Sequence, residues 1–254
     1  MQKASVTYQA LKFVDGETTS VEDEILIEAP LQIDINGESF TVVMRTPGAD
    51  RELVLGLLYS EGVLKKEVSF DLNFPEDDKA SITIKKSDLG SGYLNSRSLL
   101  SVSSCGICGK RSLKDIKILN NPPLHQTTSP IKSFEFLFDQ LRNNQDLFEK
   151  TGGSHAAALF DAKGQLLYLF EDIGRHNAVD KITGAIYLDQ TWKKGQYLVV
   201  SGRVSYEIVS KAFFSKIPFL LSVSACSSMA IDMAKELGIH LVGFNRGNKA
   251  TFYN

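Results

Sequence analysis

The stretch Ser103-Ser104-Cys105-Gly106-Ile107-Cys108-Gly109-Lys110 holds two of the three cysteines in a chain of 254 residues. Two sulfurs three positions apart can close a disulfide, share a metal ion or pass a sulfur atom between them. Sulfur is accepted by a thiolate, and the glycine amides around Cys105 and Cys108, with Lys110 and Arg111 just after, favour that form over the thiol. Half of a structural zinc site is a competing reading. Such a site needs four ligands, the chain has no second cysteine pair, and its four histidines (125, 155, 176 and 240) are scattered. A zinc ion would therefore have to draw ligands from another subunit. An inert loop is the third reading.

Four further stretches concentrate polar groups beside glycines. Thr151-Gly-Gly-Ser-His155 delivers a histidine to the start of an alternating segment, as a structural residue or as a catalyst. In Glu171-Asp172-Ile-Gly-Arg175-His176-Asn177-Ala-Val-Asp180-Lys181, acids, a guanidinium and an imidazole crowd the start of a helix. Amides at a helix start bind anions and Arg175 could fork onto a phosphate, while a salt-bridged structural corner accounts for the same residues. Val200-Ser-Gly-Arg203-Val-Ser-Tyr-Glu207 reads as strand, glycine turn and helix start, which makes Arg203 a candidate anion contact. Phe244-Asn245-Arg246-Gly247-Asn248-Lys249 follows the final apolar strand with two cations.

These residues need elements to hold them. Residues 31–45 alternate around Asn36-Gly37, a tight-turn pair, and read as a hairpin. Asp50 is the expected cap of a helix through Leu53, Leu57 and Leu58 that Gly62 ends, and Ser81 to Lys85 reads as a strand. From Ser87 to Lys110 the chain is rich in serine and glycine without periodicity, and reads as a loop. Phe134 to Leu141 has one apolar helical face, and residues 155–170 read as a second hairpin. Helices over 177–188, 205–214 and 227–237 then alternate with strands over 197–200, 219–223 and 240–244. This alternation predicts an α/β layer with crossover helices, and α+β character overall. The expected division is a β-rich unit over residues 1–120, ending in the two-cysteine loop, and an α/β unit over 121–254.

Composition narrows the function classes. Twenty-eight Lys and Arg against 30 Asp and Glu leave no global basic surface for nucleic acid or an anionic membrane. The N-terminus lacks an apolar signal core, and no run of about 18 apolar residues could span a bilayer. A cytoplasmic chain with reduced thiols is the expectation.

Taken together, MRTPG, LYSEG, SSCGICGK, TGGSHAAAL, EDIGRHNAVDK, SGRVSYEIVSK and LVGFNRG, in this order along nearly the whole chain, resemble the formate dehydrogenase accessory protein family, FdhD. The resemblance implies a sulfur carrier between a cysteine desulfurase and the molybdenum of a bis(molybdopterin guanine dinucleotide) cofactor, a bound client needed for active formate dehydrogenase. Cys105 would carry the persulfide with Cys108 second, and Phe244, Asn245, Arg246, Gly247, Asn248 and Lys249 would bind the cofactor, with Arg203, Arg175 and His176 as further contacts. No permanent cofactor or metal is implied, and a homodimer is expected. The family's second half is similar to the cytidine deaminase fold, yet Ala157 stands where a deaminase needs its glutamate and Met229 where it needs its second thiolate. Deamination should be absent. Cys226 departs from the family, which is expected to have proline there, and reads as a buried helix-start residue rather than a third sulfur site. A zinc-bridged dimeric chaperone and a dithiol oxidoreductase are the alternatives of other classes.

Overall fold

The computed structural model describes residues 3–96, 122–124, 129, 131, 133–246 and 249–253. Three sheets and seven helices make a mixed α/β architecture among these residues. A ten-pair antiparallel arm comes first, β1 (Ser5–Val14) and β2 (Glu17–Leu26), turning at Asp15 and Gly16. The second sheet has four strands in the order β4 (Glu38–Arg45), β3 (Ala29–Ile35), β6 (Lys79–Ile84) and β5 (Phe70–Glu76), with β3 and β6 parallel. Helix α1 (Asp50–Ser60) covers it, and α2 (Ser91–Ser96) follows.

The third sheet carries the candidate site. Its order is β12 (Lys249–Phe252), β11 (His240–Arg246), β10 (Phe219–Ser222), β9 (Tyr197–Val200), β7 (His155–Phe160) and β8 (Leu166–Asp172). The middle strands β9, β10 and β11 are parallel, so α6 (Tyr206–Phe214) and α7 (Ser228–Leu237) are their crossovers. Strand β7 buries residues on both faces in alternation. Ala157 and Leu159 enter one core with α5 (Arg175–Asp189), while Ala156, Ala158 and Phe160 enter another with Leu137 and Leu141 of α3 (Glu135–Asn143). The larger core runs without a break from Leu31, Ile33 and Ile82 of the four-stranded sheet, through α1 and α5, to Leu198, Leu220 and Leu241. It joins the two sheets face to face through a helix pair.

That pair crosses at a distance only glycine permits. A Cβ on Gly56 of α1 would lie 1.8 Å from the Asp180 carbonyl oxygen, and one on Gly184 of α5 would lie 1.8 Å from that of Glu52. Each helix therefore rests its backbone on the other.

The hairpin at Asn36-Gly37, the hairpin over 155–172 and the alternating strands and helices of the second half lie where the sequence pattern predicts them. Other expectations need correction. Asp50 does not cap α1; the cap position is Ala49, in the left-handed region at φ 53°, with no side-chain cap bond. The Asp50 carboxylate instead accepts a forked pair from Arg45, from Nε at 3.0 Å and Nη2 at 2.9 Å. Two charge-assisted bonds to a buried guanidinium outweigh one bond to a helix amide. The described part of the expected loop after Ser87 contains a 3-10 turn at Lys86–Asp88 and helix α2. The strand over 240–244 continues to Arg246 and is followed by β12, so it is not the last.

Alanine at Gly184 should force the helices apart. A loss of about 3 kcal/mol of stability is expected, read as a lowered urea midpoint.

Candidate functional site at the strand tips

The corner that builds the site is a buried polar joint. Asp172, at the end of β8, is fully buried, as is Lys181 one helical stretch later on α5, and their charges meet at 2.8 Å. The second Asp172 oxygen accepts from the Gly174 amide and the Asn177 side chain, both at 2.8 Å. Thr46 closes the joint from the other sheet: its amide donates to Asp172 at 3.3 Å, its carbonyl accepts from Lys181 at 3.2 Å, and its hydroxyl accepts from the Ile173 amide at 3.1 Å. Asn177 also donates to the Met44 carbonyl. MRTPG and EDIGRHNAVDK are thus two sides of one contact.

A second buried pair lies further along α5. Lys211 of α6 donates to Asp180, which also accepts from Ser60 at 3.2 Å. Burial pushes the Asp180 pKa up against the pull of Lys211. Glu171 caps α4 (Asp146–Thr151), accepting from the Leu147 and Phe148 amides at 2.8 Å and from Ser154. Within EDIGRHNAVDK the structural reading therefore holds for Glu171, Asp172, Asn177, Asp180 and Lys181.

Arg175 and His176 have different surroundings. Because β7 runs antiparallel to β9, its first residue lies beside the end of β9: Ser201 accepts from the Ala156 amide at 2.9 Å and donates its own amide to the Ala156 carbonyl. His155 and α5's first residues thereby meet the β9 turn. A Cβ on Gly202 would sit 3.2 Å from His155 Nδ1 and 3.3 Å from Arg175 Cβ, so Gly202 is the floor between them. Ser222 holds that turn by donating to the Gly202 carbonyl at 2.8 Å. Arg203 is exposed, and the half-buried Arg175 has its Nε buried without a hydrogen-bond partner among the described residues.

The cluster is cationic and its imidazoles are neutral. Burial lowers the His155 pKa, and Arg175 and Arg203 lower it further against the opposing pull of Asp172. His176 is pushed down to about 3, by burial first and then by Lys211, Arg175 and His155, with its Nε2 3.4 Å from the Ser205 hydroxyl. The ring nitrogens can hydrogen-bond an incoming group, while the guanidiniums supply the charge.

The end of β11 shares this edge of the sheet. The Phe244 amide donates to the Ser224 carbonyl at 3.0 Å, and Ser224 is in turn held by Ser222. Phe244 stands at φ 52° with its side chain 45% exposed, in a strand whose register shifts between Gly243 and Arg246. Asn245 is buried and Lys249 is exposed, paired across the ladder with Arg246. Cys226 is half-buried against the Gly243 backbone, two residues before α7, and burial pushes its pKa up to about 11. A thiol so disposed stays protonated at neutral pH and is a poor nucleophile.

The expected site residues thus separate into three groups. Arg175 and Arg203 come together with His155 at Gly202, His176 lies beside Ser205 of the same turn, and the described part of 244–249 ends on the same sheet edge. Cys105, Cys108, Gly247 and Asn248 lie outside the described residues. The flanks of the cysteine stretch are fixed on the body. Gly90 and Gly92 donate to the Val63 and Gly62 carbonyls, and a Cβ on either would lie 2.0 Å from a carbonyl oxygen of the LYSEG turn. On the far flank the Leu124 amide donates to Leu237. Sequence reasoning missed Thr46, Ser201 and Ser222, which position the tips without carrying charge; the glycine and serine turns beside them were the available signal. Ala157, where a deaminase needs its proton shuttle, is buried in the larger core.

The fold is thus an α/β layer with crossover helices that carries a cationic cluster beyond the ends of its parallel strands, the edge at which α/β sheets take their ligands. Residues 26–254 match the model of the FdhD/NarQ family, and the chain belongs to that family. It is 41% identical over 251 residues to the sulfur carrier protein FdhD of Sulfurisphaera tokodaii, covering 94% of this chain and 93% of that one. To the sulfur carrier protein FdhD of Streptomyces coelicolor it is 36% identical over 270 residues, covering 100% and 95%. The fold matches the crystal structure of a formate dehydrogenase accessory protein from Desulfotalea psychrophila with a TM-score of 0.80 at 22% identity, over 99% of this chain and 97% of that one.

Two outcomes follow for stability. Lys181→Met leaves Asp172 buried without its counter-charge and should cost about 3–5 kcal/mol in urea unfolding. His176 is protonated in the unfolded chain below pH 6.5 but in the folded chain only near pH 3. The unfolded state therefore binds more protons, and stability is lost as pH falls through this window, by about 2 kcal/mol at pH 5 relative to pH 8. His176→Gln should remove that part of the pH dependence, measured as the urea midpoint at each pH.

Proposed function

We propose that this protein is a sulfur carrier that passes persulfide sulfur from a cysteine desulfurase to the molybdenum of a bis(molybdopterin guanine dinucleotide) cofactor destined for formate dehydrogenase. The observation that carries the reading is the cluster of Arg175, His155 and Arg203 around Gly202, with a guanidinium Nε that has no partner among the described residues, on the sheet edge where β11 also ends. A nearly neutral chain has gathered cations there, as a ligand bearing several phosphates requires. The relatives named sulfur carrier protein FdhD, 36–41% identical over almost the whole chain, support the sulfur half of the reading.

In this mechanism the Cys105 thiolate attacks the outer sulfur of the desulfurase persulfide. The new S–S bond leaves a persulfide on Cys105, and the donor cysteine departs as its thiolate. Attack of the Cys108 thiolate on the Cys105 sulfur would then release hydrosulfide for the metal and leave a Cys105–Cys108 disulfide, which a cellular dithiol reductant must reopen. The cofactor is cargo: Arg175, Arg203, Arg246 and Lys249 would bind its phosphates, His155 and His176 would hydrogen-bond as neutral rings, and Phe244, Asn245, Gly247 and Asn248 would form the rest of its seat.

Intact mass after incubation with a desulfurase and cysteine should rise by one sulfur on the peptide containing Cys105. Cys105→Ala should abolish both that gain and dehydrogenase activation while leaving the melting temperature unchanged; full activation by the variant would end the assignment. Arg246→Ala with Lys249→Ala should weaken guanine-nucleotide binding, most at low ionic strength where charge contacts are least screened, as read by calorimetric titration at two salt concentrations.

A further inference from the structure

The loop after β10, residues 223–227, lies between the two halves of the proposed seat and brings no charged side chain to it. What it follows is a serine. Strand β10 reads Phe-Leu-Leu-Ser, and Ser222 is 0% exposed, so its hydroxyl must find protein partners or cost stability. It finds two. The hydroxyl donates to the Gly202 carbonyl at 2.8 Å and accepts from the Ser224 amide at 2.9 Å. The Ser224 carbonyl in turn accepts from the Phe244 amide at 3.0 Å.

These three hydrogen bonds run from one half of the seat to the other. The Gly202 carbonyl belongs to the peptide that leads into Arg203, and a planar peptide held at its carbonyl is held at the Arg203 amide as well. Beyond the last β10–β11 pair, Leu221 with Val242, the Ser224 carbonyl holds the chain at Phe244 to the β10 loop. That bond grips the amide of a residue at φ 52°, whose strained backbone gains by moving. Backbone bonds from Val204 to Ala225 and from Ser227 to Val204, both 3.0 Å, keep the β9 and β10 loops together further out.

We infer that Ser222 is a positioning residue whose hydroxyl couples the Gly202–Arg203 turn to the Phe244 segment, so that a ligand held at one half of the seat orders the other. The inference rests on the reading that one phosphate-bearing ligand spans both halves. A ligand that bridges two loose segments spends binding free energy on ordering each of them, whereas linked segments are ordered together. Groups that share no contact act independently unless something joins them, and here the joint is an uncharged hydroxyl. Its loss should therefore weaken binding without removing any of the cations.

Calorimetric titration of the full chain with guanosine diphosphate, and amide hydrogen exchange without it, test this. With Ser222 in place, Arg203→Ala and Phe244→Ala together should cost less affinity than the product of their separate losses, by on the order of five-fold. In a Ser222→Ala background the two losses should simply multiply. Ser222→Ala alone should weaken binding on the order of ten-fold while leaving its dependence on ionic strength unchanged, since no charge is removed. Ser222→Cys, which keeps the shape but has only a weak donor, should behave in the same way. Without ligand, the Val204 and Phe244 amides, neither of them bonded to Ser222, should both exchange on the order of ten-fold faster in these variants. Non-additivity that survives Ser222→Ala, or protection at Val204 and Phe244 that does not change, would overturn the coupling. A wild-type chain that binds no guanosine diphosphate would sink the cofactor reading instead, and the exchange rates would still decide the coupling. Unchanged near-ultraviolet circular dichroism of each variant separates these outcomes from unfolding.

Discussion

Asp172 and Lys181 have both given up water for each other, and the rest of the molecule is arranged so that neither regrets it. Desolvating two charges is costly unless every remaining donor and acceptor is satisfied. Here Thr46, Gly174 and Asn177 complete the set, and Thr46 comes from the other sheet. The two sheets cannot separate or slide without breaking charged bonds in the dry interior. Helix α5 starts between the two members of this pair, so the interaction that joins the sheets also fixes where Arg175 and His176 stand.

Motifs that look like single catalytic strings are divided by this architecture. In EDIGRHNAVDK Asp172, Asn177 and Lys181 make the joint, Asp180 pairs with Lys211 and Glu171 caps α4, whereas Arg175 and His176 are held at the strand tips. In SGRVSYEIVSK the first residues make the floor of the cluster, and Lys211 goes inward to Asp180. The α1–α5 crossing adds rigidity by backbone contact at Gly56 and Gly184. The fold family follows from the match over residues 26–254; the sulfur chemistry is the reading the tips and the relatives support.

Local patterns were the legible part. Asn36-Gly37 announces its hairpin because the turn chemistry and the alternation beside it agree, and the strand–helix rhythm after His155 is strong because those strands are buried on both faces. The β1–β2 arm escaped that reasoning although Asp15-Gly16 is a turn signal of the same kind. Beyond its base at Leu26 its faces are not packed on the body, and Glu17 to Glu24 shows little apolar alternation. Strand β5 was hidden by Pro75 and its acids on a sheet edge, and β12 by its four-residue length. The joint was illegible for another reason: Thr46 and Asp172 are 126 positions apart, and nothing local to either requires the other. Arg175, His176 and Arg203 could be proposed from glycine turns, but the meeting of Arg175 and Arg203 with His155 at Gly202 needed the antiparallel placement of β7.

Phe244 keeps a bulky ring on a backbone at φ 52°, a conformation that glycine or asparagine would adopt at less cost. Such strain is worth on the order of 1–3 kcal/mol, and packing offsets only part of it, since Phe244 is 45% exposed. A ring held this way at the end of β11 trades durability for an aromatic surface on the strand-tip edge, so a thermostabilised variant that gains at this position is the one whose performance should be checked first.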